Sequence, residues 1–202
     1  MAQPISAKDV AALRARTGAG WMDCKKALEE TGGDMDKAVD LLRKKGIAKA
    51  ETRGGRGASE GVIGSYIHHN SKVGVLVEVN CETDFVARTE DFQHLARELA
   101  MHIASHDPAP IAVRIEDVPA DVLEKEKEIY RGQAAESGKP EKIWDKMVEG
   151  KVRKFYQERV LLEQTFVRDD KQTVGDLVKA VSGKVGENVV VRRFVKFKLG
   201  EG

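Results

Sequence analysis

GVIGSYIHHNSKVGVLVEVN, residues 61–80, is patterned with a period of two on both sides of Asn70-Ser71. In the first half Val62, Tyr66 and His68 alternate with Ile63, Ser65 and Ile67; in the second, Val73, Val75, Val77 and Val79 line one face. Successive side chains of a strand point to opposite faces, so each half predicts a strand, and the short polar turn joins them as an antiparallel pair. A third such stretch comes only at 189–199, with Val191, Val195, Phe197 and Leu199 on one face. The sheet is therefore expected to be closed by the two ends of one domain, with everything between them helical.

Helical spacing fills that interval. Phe92, Leu95, Ala96, Leu99 and Ile103 form one stripe over 90–105, which Pro108 and Pro110 interrupt. A charged helix over 119–137 meets the turn Ser137-Gly138-Lys139-Pro140, and a second helix continues to about 164 through Met147, Val148, Phe155 and Leu162. Two long helices around so short a turn predict an antiparallel hairpin, at about 119–164, that protrudes from the domain. A last short helix covers 174–181.

Before the sheet, the first 46 residues read as three short helices. Ser6 caps the first, Gly18 and Gly20 end it, and Gly32-Gly33 end the second. Asp34 caps the third, which stops before Gly46. Val10, Leu13, Cys24, Ala27, Leu28, Met35, Ala38, Val39, Leu41 and Leu42 are the expected core. Between 43 and 60, Arg43, Lys44, Lys45, Lys49, Arg53 and Arg56 face only Glu51 and Glu60, and RGGRGASEG reads as a flexible linker. The expectation is an α+β protein: a three-helix domain with its basic linker at 1–54, and a core of a three-stranded antiparallel sheet with helices at 55–202.

Composition removes several function classes. The 202 residues carry 34 Lys+Arg against 33 Asp+Glu, a net charge of +1, which disfavours a protein held to nucleic acid mainly by phosphate contacts. No apolar run approaches the roughly 18 residues of a membrane helix, and the N-terminus has neither a signal-peptide nor a transit-peptide pattern. Cys24 and Cys81 are far apart and form no CxxC, so neither a disulfide framework nor a zinc ribbon is expected. The class that remains is a soluble, cytoplasmic protein.

Catalytic chemistry is hard to assemble. Gly183-Lys184 lacks the upstream glycine of a phosphate-binding loop, and no GxSxG occurs. His102 and His106 stand at i,i+4, with His94 and Glu98 as a second ligand row, but HIASH lacks the glutamate of HExxH and reads as a solvated helix face. No metal or cofactor is expected. The basic linker allows an RNA-binding, translation-associated module as the alternative reading. Two apolar features remain: Trp21-Met22 after a glycine-rich turn, read as part core and part exposed patch, and Thr83-Asp84-Phe85-Val86 between strand and helix. On composition alone Phe85 reads as a core plug and Asp84 as a capping residue.

LRARTGAGWMDCKKAL (13–28) and VEVNCETDFVAR (77–88) resemble the two signature stretches of the bacterial translation elongation factor Ts family. SGKPEKIWDKMVEGKVRKF (137–155) and the closing VVVRRFVKFKLGEG are similar to the same family, so the likeness runs nearly the whole length. The resemblance implies a guanine-nucleotide exchange factor for elongation factor Tu, not an enzyme, with an N-terminal domain similar to ubiquitin-associated domains. It assigns Thr83, Asp84, Phe85 and Val86 to the stretch that disturbs the magnesium site of the GTPase, and Arg14, Trp21 and Met22 to partner binding. The family often has Met where this chain has Trp21. Long members carry two related core halves; the likeness here is to the short form, which implies a homodimer joined through a sheet edge or face, and no direct nucleic-acid contact.

Overall fold

A computed structural model describes residues 5–201. Its elements are α1 (Ala7–Thr17), α2 (Trp21–Glu30), α3 (Met35–Glu51), β1 (Glu60–Ile67), β2 (Val73–Cys81), α4 (Asp84–Ala87), α5 (Glu90–Ser105), α6 (Ala120–Glu136), α7 (Trp144–Arg159), β3 (Thr165–Phe166), β4 (Asp169–Thr173), α8 (Val174–Val185) and β5 (Val190–Lys198). The α+β class holds, with β1, β2 and β5 forming a three-stranded antiparallel sheet in that order. The chain divides into two compact units. One comprises the residues up to Gly61 with Asn80–Phe92 and Val178–Val190; the other comprises Val62–Val79, Gln93–Leu177 and the residues from Val191 onward.

In the first unit, Val10, Leu13, Cys24, Ala27, Leu28, Ala38 and Leu42 form the buried cluster, with Ile5, Ala19, Met35, Val39 and Leu41 packed against it. A full capping box starts α1: Ser6 Oγ accepts from the Asp9 N–H at 3.1 Å, and the Asp9 carboxylate accepts from the Ser6 N–H at 3.3 Å. Gly18, at φ 67°, ends that helix in the left-handed region that costs glycine least.

The expected stop at Gly46 does not occur, and α3 runs on to Glu51. A mid-helix glycine costs about 1 kcal/mol relative to alanine, a cost that burial of Ala38, Leu42 and Ala50 along the same helix offsets. A Cβ on Gly183 of α8 would lie 2.8 Å from the Gly46 carbonyl oxygen, so the missing side chain at Gly183 lets the two backbones approach, whereas a Cβ at Gly46 would meet nothing within 4 Å. Arg43, Lys44 and Lys45, the start of the basic stretch that precedes RGGRGASEG, consequently lie within this helix.

In the second unit, β2 buries Val75, Val77 and Val79, and α5 buries Leu95, Ala96, Leu99, Ala100 and Ile103. Helix and strand are in close contact: a Cβ on Gly64 of β1 would come 2.6 Å from the Ala96 carbonyl oxygen. The alternate positions Ile63, Ile67, Leu76, Val195 and Phe197 are exposed. β5 departs from the single face expected for it. Val191 is buried, Arg192 and Arg193 are both exposed, and the inward positions then become Phe194, Lys196 and Lys198.

The helical hairpin is α6 and α7, turned through Gly138 at φ 69°, with a 3-10 turn at Glu141–Ile143 after Pro140. α6 buries only Ala134 among its 17 residues, the pattern of a lightly packed, largely solvated helix. α7 stops at Arg159, short of the expected end near 164, because Val160 turns extended and Leu161 donates to the Ala112 carbonyl at 2.9 Å. The β3–β4 hairpin that follows, with Thr165 opposite Thr173, contradicts the expectation that everything between the sheet strands is helical. Its TFVRDDKQT sequence alternates too poorly to predict a strand.

Candidate functional site

Where β2 ends, Cys81 is fully buried and Thr83 begins the single turn of α4. Thr83 is extended at φ −131°, ψ 154°, and its Oγ1 accepts from the Val86 N–H at 3.4 Å. The Cys81 thiol donates to the Thr83 carbonyl at 3.1 Å. Burial, then the Glu187 carboxylate, pushes that thiol up to about 11, so it remains a protonated donor. Ala87 is the buried residue of the turn, and the side chain two positions earlier points away from the protein.

That side chain is Phe85, and it is 80% exposed. The composition-based reading of Phe85 as a core plug is thus incorrect; the neighbouring aromatic Phe92 is fully buried instead. A solvated benzyl group on an otherwise hydrogen-bonded turn is apolar surface offered outward. Asp84, half-buried, pairs with Arg88 one turn later at 2.9 Å, and Val86 is half-buried.

Three donors converge on one carboxylate behind this turn. Glu187 Oε2 accepts from the N–H groups of Glu82 and Thr83, each at 3.0 Å, and Oε1 accepts from Thr83 Oγ1 at 2.6 Å. Sequence reading missed Glu187 entirely. It lies 104 residues from Thr83, and only the Gly186-Glu187-Asn188 exit of α8, with Gly186 at φ 81°, hints at a special turn there.

The second candidate group lies on the helical domain of the same unit. Trp21 and Met22 open α2, whose N-cap Gly20 has no side chain to supply a capping bond. They are 42% and 58% exposed, whereas Cys24, Ala27 and Leu28 of the same helix are fully buried. Neither therefore fills the three-helix core. Trp21 borders a shallow depression also lined by Ala11, Arg14, Ala15 and Gly18, with Arg14 exposed at its rim. The stem of Lys184 passes so close to Gly18 that any Cβ there would clash with it, and its Nζ pairs with Asp91 at 2.6 Å.

The histidine row is built differently from the solvated face expected of it. His102 is completely buried. Its Nδ1 accepts from the Val167 N–H at 3.3 Å, and Nε2 stands 3.0 Å from Gln164 Oε1, so both ring nitrogens have protein partners. Gln164 Nε2 in turn donates to the Glu158 carbonyl at 2.8 Å. Burial, then the nearby His106, lowers His102 to about 4, against the smaller opposing effect of Gln164. Glu98 pairs with Arg168 at 3.2 Å. Among the described residues no group of three or more His, Cys, Asp or Glu is arranged to hold a metal ion.

Several bases of the expected linker are engaged by the protein itself. Lys45 pairs with Glu30 at 2.6 Å, Arg53 donates to the Ser182 carbonyl at 3.3 Å, and Arg56 lies 3.5 Å from Glu82. The side chain of Lys49 lies outside the described part of the structure. An open groove of about 730 Å³ beside the helical hairpin is lined by Ile115, Lys127, Arg131, Val148, Tyr156 and Glu163 among others, mixing apolar surface with both signs of charge. Among the described residues no helix is long and apolar enough to cross a membrane.

Comparison with known proteins gives a consistent result. The profile of the family described as Elongation factor TS matches residues 47–201. The chain is similar to Elongation factor Ts of Coprothermobacter proteolyticus, 59% identical over 197 residues, covering 98% of this chain and 99% of that protein. It is also similar to Elongation factor Ts of Thermosipho melanesiensis, 57% identical over 98% of this chain and the whole of that one. Against Elongation factor Ts of Geobacter metallireducens it is 58% identical over 98% of this chain and 91% of the other.

Proposed function

The chain belongs to the elongation factor Ts family, and from that premise we propose that it promotes GDP release from elongation factor Tu by inserting Phe85 beside the magnesium and phosphate site of the GTPase. The observation that carries this reading is the 80% exposure of Phe85 on a turn whose backbone is fixed by Glu187. GDP and Mg²⁺ are held in such GTPases by many charge-assisted contacts that must break together, which makes spontaneous release slow. An exchange factor need make or break no covalent bond. It binds the nucleotide-free form more tightly, and by linkage it weakens nucleotide by the factor by which nucleotide weakens it.

Each residue has a distinct part. Phe85 is the wedge: burying such a ring stabilises the deformed partner by roughly 1.5–3 kcal/mol, about a ten- to hundredfold shift in population. Thr83 caps the turn that carries it, and Val86 gives the wedge an apolar flank. Asp84, oriented by Arg88, brings a carboxylate next to the ring, where it acts on displaced backbone or on the magnesium shell. Arg14, Trp21 and Met22 supply anchoring away from the wedge, an aromatic and a guanidinium being the side chains that most often dominate an interface.

The short form is proposed to act as a homodimer. Ile63, Ile67, Leu76, Val195 and Phe197 lie exposed on one sheet, an apolar face that a second copy would cover. The direct test of the function is release of fluorescent GDP from purified elongation factor Tu with and without the protein. Acceleration that saturates with protein concentration and is suppressed by excess Mg²⁺ is expected; an unchanged release rate would refute it.

A further inference from the structure

We propose that Glu187 is the positioning residue of the exchange loop, holding the backbone that aims Phe85; this rests on the reading of Phe85 as the wedge. A single helical turn cannot stabilise itself, because nucleation fixes several dihedrals for one hydrogen bond. α4 is four residues long, and the ring at its second position is solvated, so no packing locks it. The direction of Phe85 is therefore set by Thr83, two residues earlier.

Glu187 binds Glu82 and Thr83 through three donors, at 3.0, 3.0 and 2.6 Å. Charge-assisted bonds of this kind are roughly twice as strong as neutral ones, and the use of both carboxylate oxygens fixes orientation as well as position. The clasp is reciprocal. Glu82 Oε1 accepts from the Asn188 N–H at 2.7 Å, and Asn188 Nδ2 donates to the Arg56 carbonyl at 2.7 Å. Ser182, buried on the last turns of α8, donates from Oγ to the Glu187 carbonyl at 2.5 Å. Beyond the bonds to its sequence neighbours, the loop is thus tied to the end of α8. Without Glu187 the ring keeps its chemistry but samples directions in which it does not meet its target. That lowers the competent fraction without removing the anchoring contacts.

The experiment measures GDP release from elongation factor Tu over a range of full-length protein concentrations for the wild type, Glu187→Ala, Glu187→Gln, Phe85→Ala and the double variant Glu187→Ala/Phe85→Ala. Glu187→Ala is expected to lower the maximal rate about tenfold while the half-saturating concentration moves less than about threefold. Glu187→Gln, whose amide oxygen still accepts from both N–H groups, should recover most of the rate. In the Phe85→Ala background Glu187→Ala should add nothing further. A wild-type maximal rate for Glu187→Ala beside a slow Phe85→Ala overturns the positioning role and leaves the wedge standing. A wild-type rate for Phe85→Ala overturns the wedge reading itself. Equal losses from Glu187→Ala in both backgrounds show an effect independent of the ring, which also overturns the proposal. If Glu187→Ala does not fold, Glu187→Asp, which keeps the charge but withdraws the carboxylate by one methylene from its three donors, takes its place in the same comparison, with the same outcomes deciding.

Discussion

Truncating Phe85 to alanine separates a wedge from a structural residue, because the two roles predict opposite signatures. A phenylalanine presents roughly 200 Å² of surface, and at 80% exposure about 160 Å² of it is available to a partner. At about 25 cal/mol per Å² the ceiling is about 4 kcal/mol, of which the alanine methyl retains a part, leaving the roughly 1.5–3 kcal/mol usual for such a side chain. If the ring is buried only in the deformed GTPase, that loss falls on the transition for release and slows it by about 10- to 150-fold. The stability of the free protein should hardly change, since surface substitutions away from packing features stay within about 0.5 kcal/mol. Alanine also favours a helical turn slightly over phenylalanine. Stopped-flow release of labelled GDP at saturating protein, with thermal unfolding of the same samples, reads both quantities. A wild-type release rate, or a large fall in melting temperature with exchange per folded molecule preserved, would refute the wedge.

Further expectations follow from the other groups. Trp21→Ala should weaken binding to nucleotide-free elongation factor Tu by about tenfold in titration calorimetry while leaving the maximal release rate within about twofold, as for an anchor outside the chemistry; unchanged affinity would count against the patch. His102, at about 4 in the folded protein against 6.5 for an ordinary histidine, contributes stability that is complete above pH 6.5 and lost as pH falls toward 4. The unfolded chain takes up the proton first, so the loss reaches about 3 kcal/mol. Urea unfolding at pH 7.5 and 4.5 should show that dependence in the wild type and a flatter one in His102→Gln; identical slopes would remove His102 as its source. Replacing Ile67 and Phe197 together by lysine should give a monomer by light scattering, since paired charges on an apolar face resist burial. A dimer that persists would place the joining surface elsewhere.

Local pattern was enough wherever a single element buries one face. The three-helix core, β1 and β2 and α5 were legible because their apolar spacing repeats within the element, and the α6–α7 hairpin because two long helical stretches flank the short Ser137-Gly138-Lys139-Pro140 turn. At the Thr-Asp-Phe-Val stretch composition placed Phe85 inside, and the structure leaves it outside; only family likeness singled the stretch out as a candidate site. Propensity misled at Gly46, where the helix runs on through a glycine because Ala38, Leu42 and Ala50 are buried along it, and at Val160, where pairing with Ala112 ends α7 early.

Sequence by itself determined the class of the fold, the family and the buried face of the three-helix core, of β2 and of the apolar stripe of α5. Tertiary structure alone decided that Glu187 reaches Thr83, that His102 is enclosed with both nitrogens occupied, and that the α8 end holds the loop carrying Phe85. The reason is separation along the chain. Periodicity reports how a segment meets an average interior, whereas a carboxylate 104 residues from its donors leaves no trace in the sequence around either.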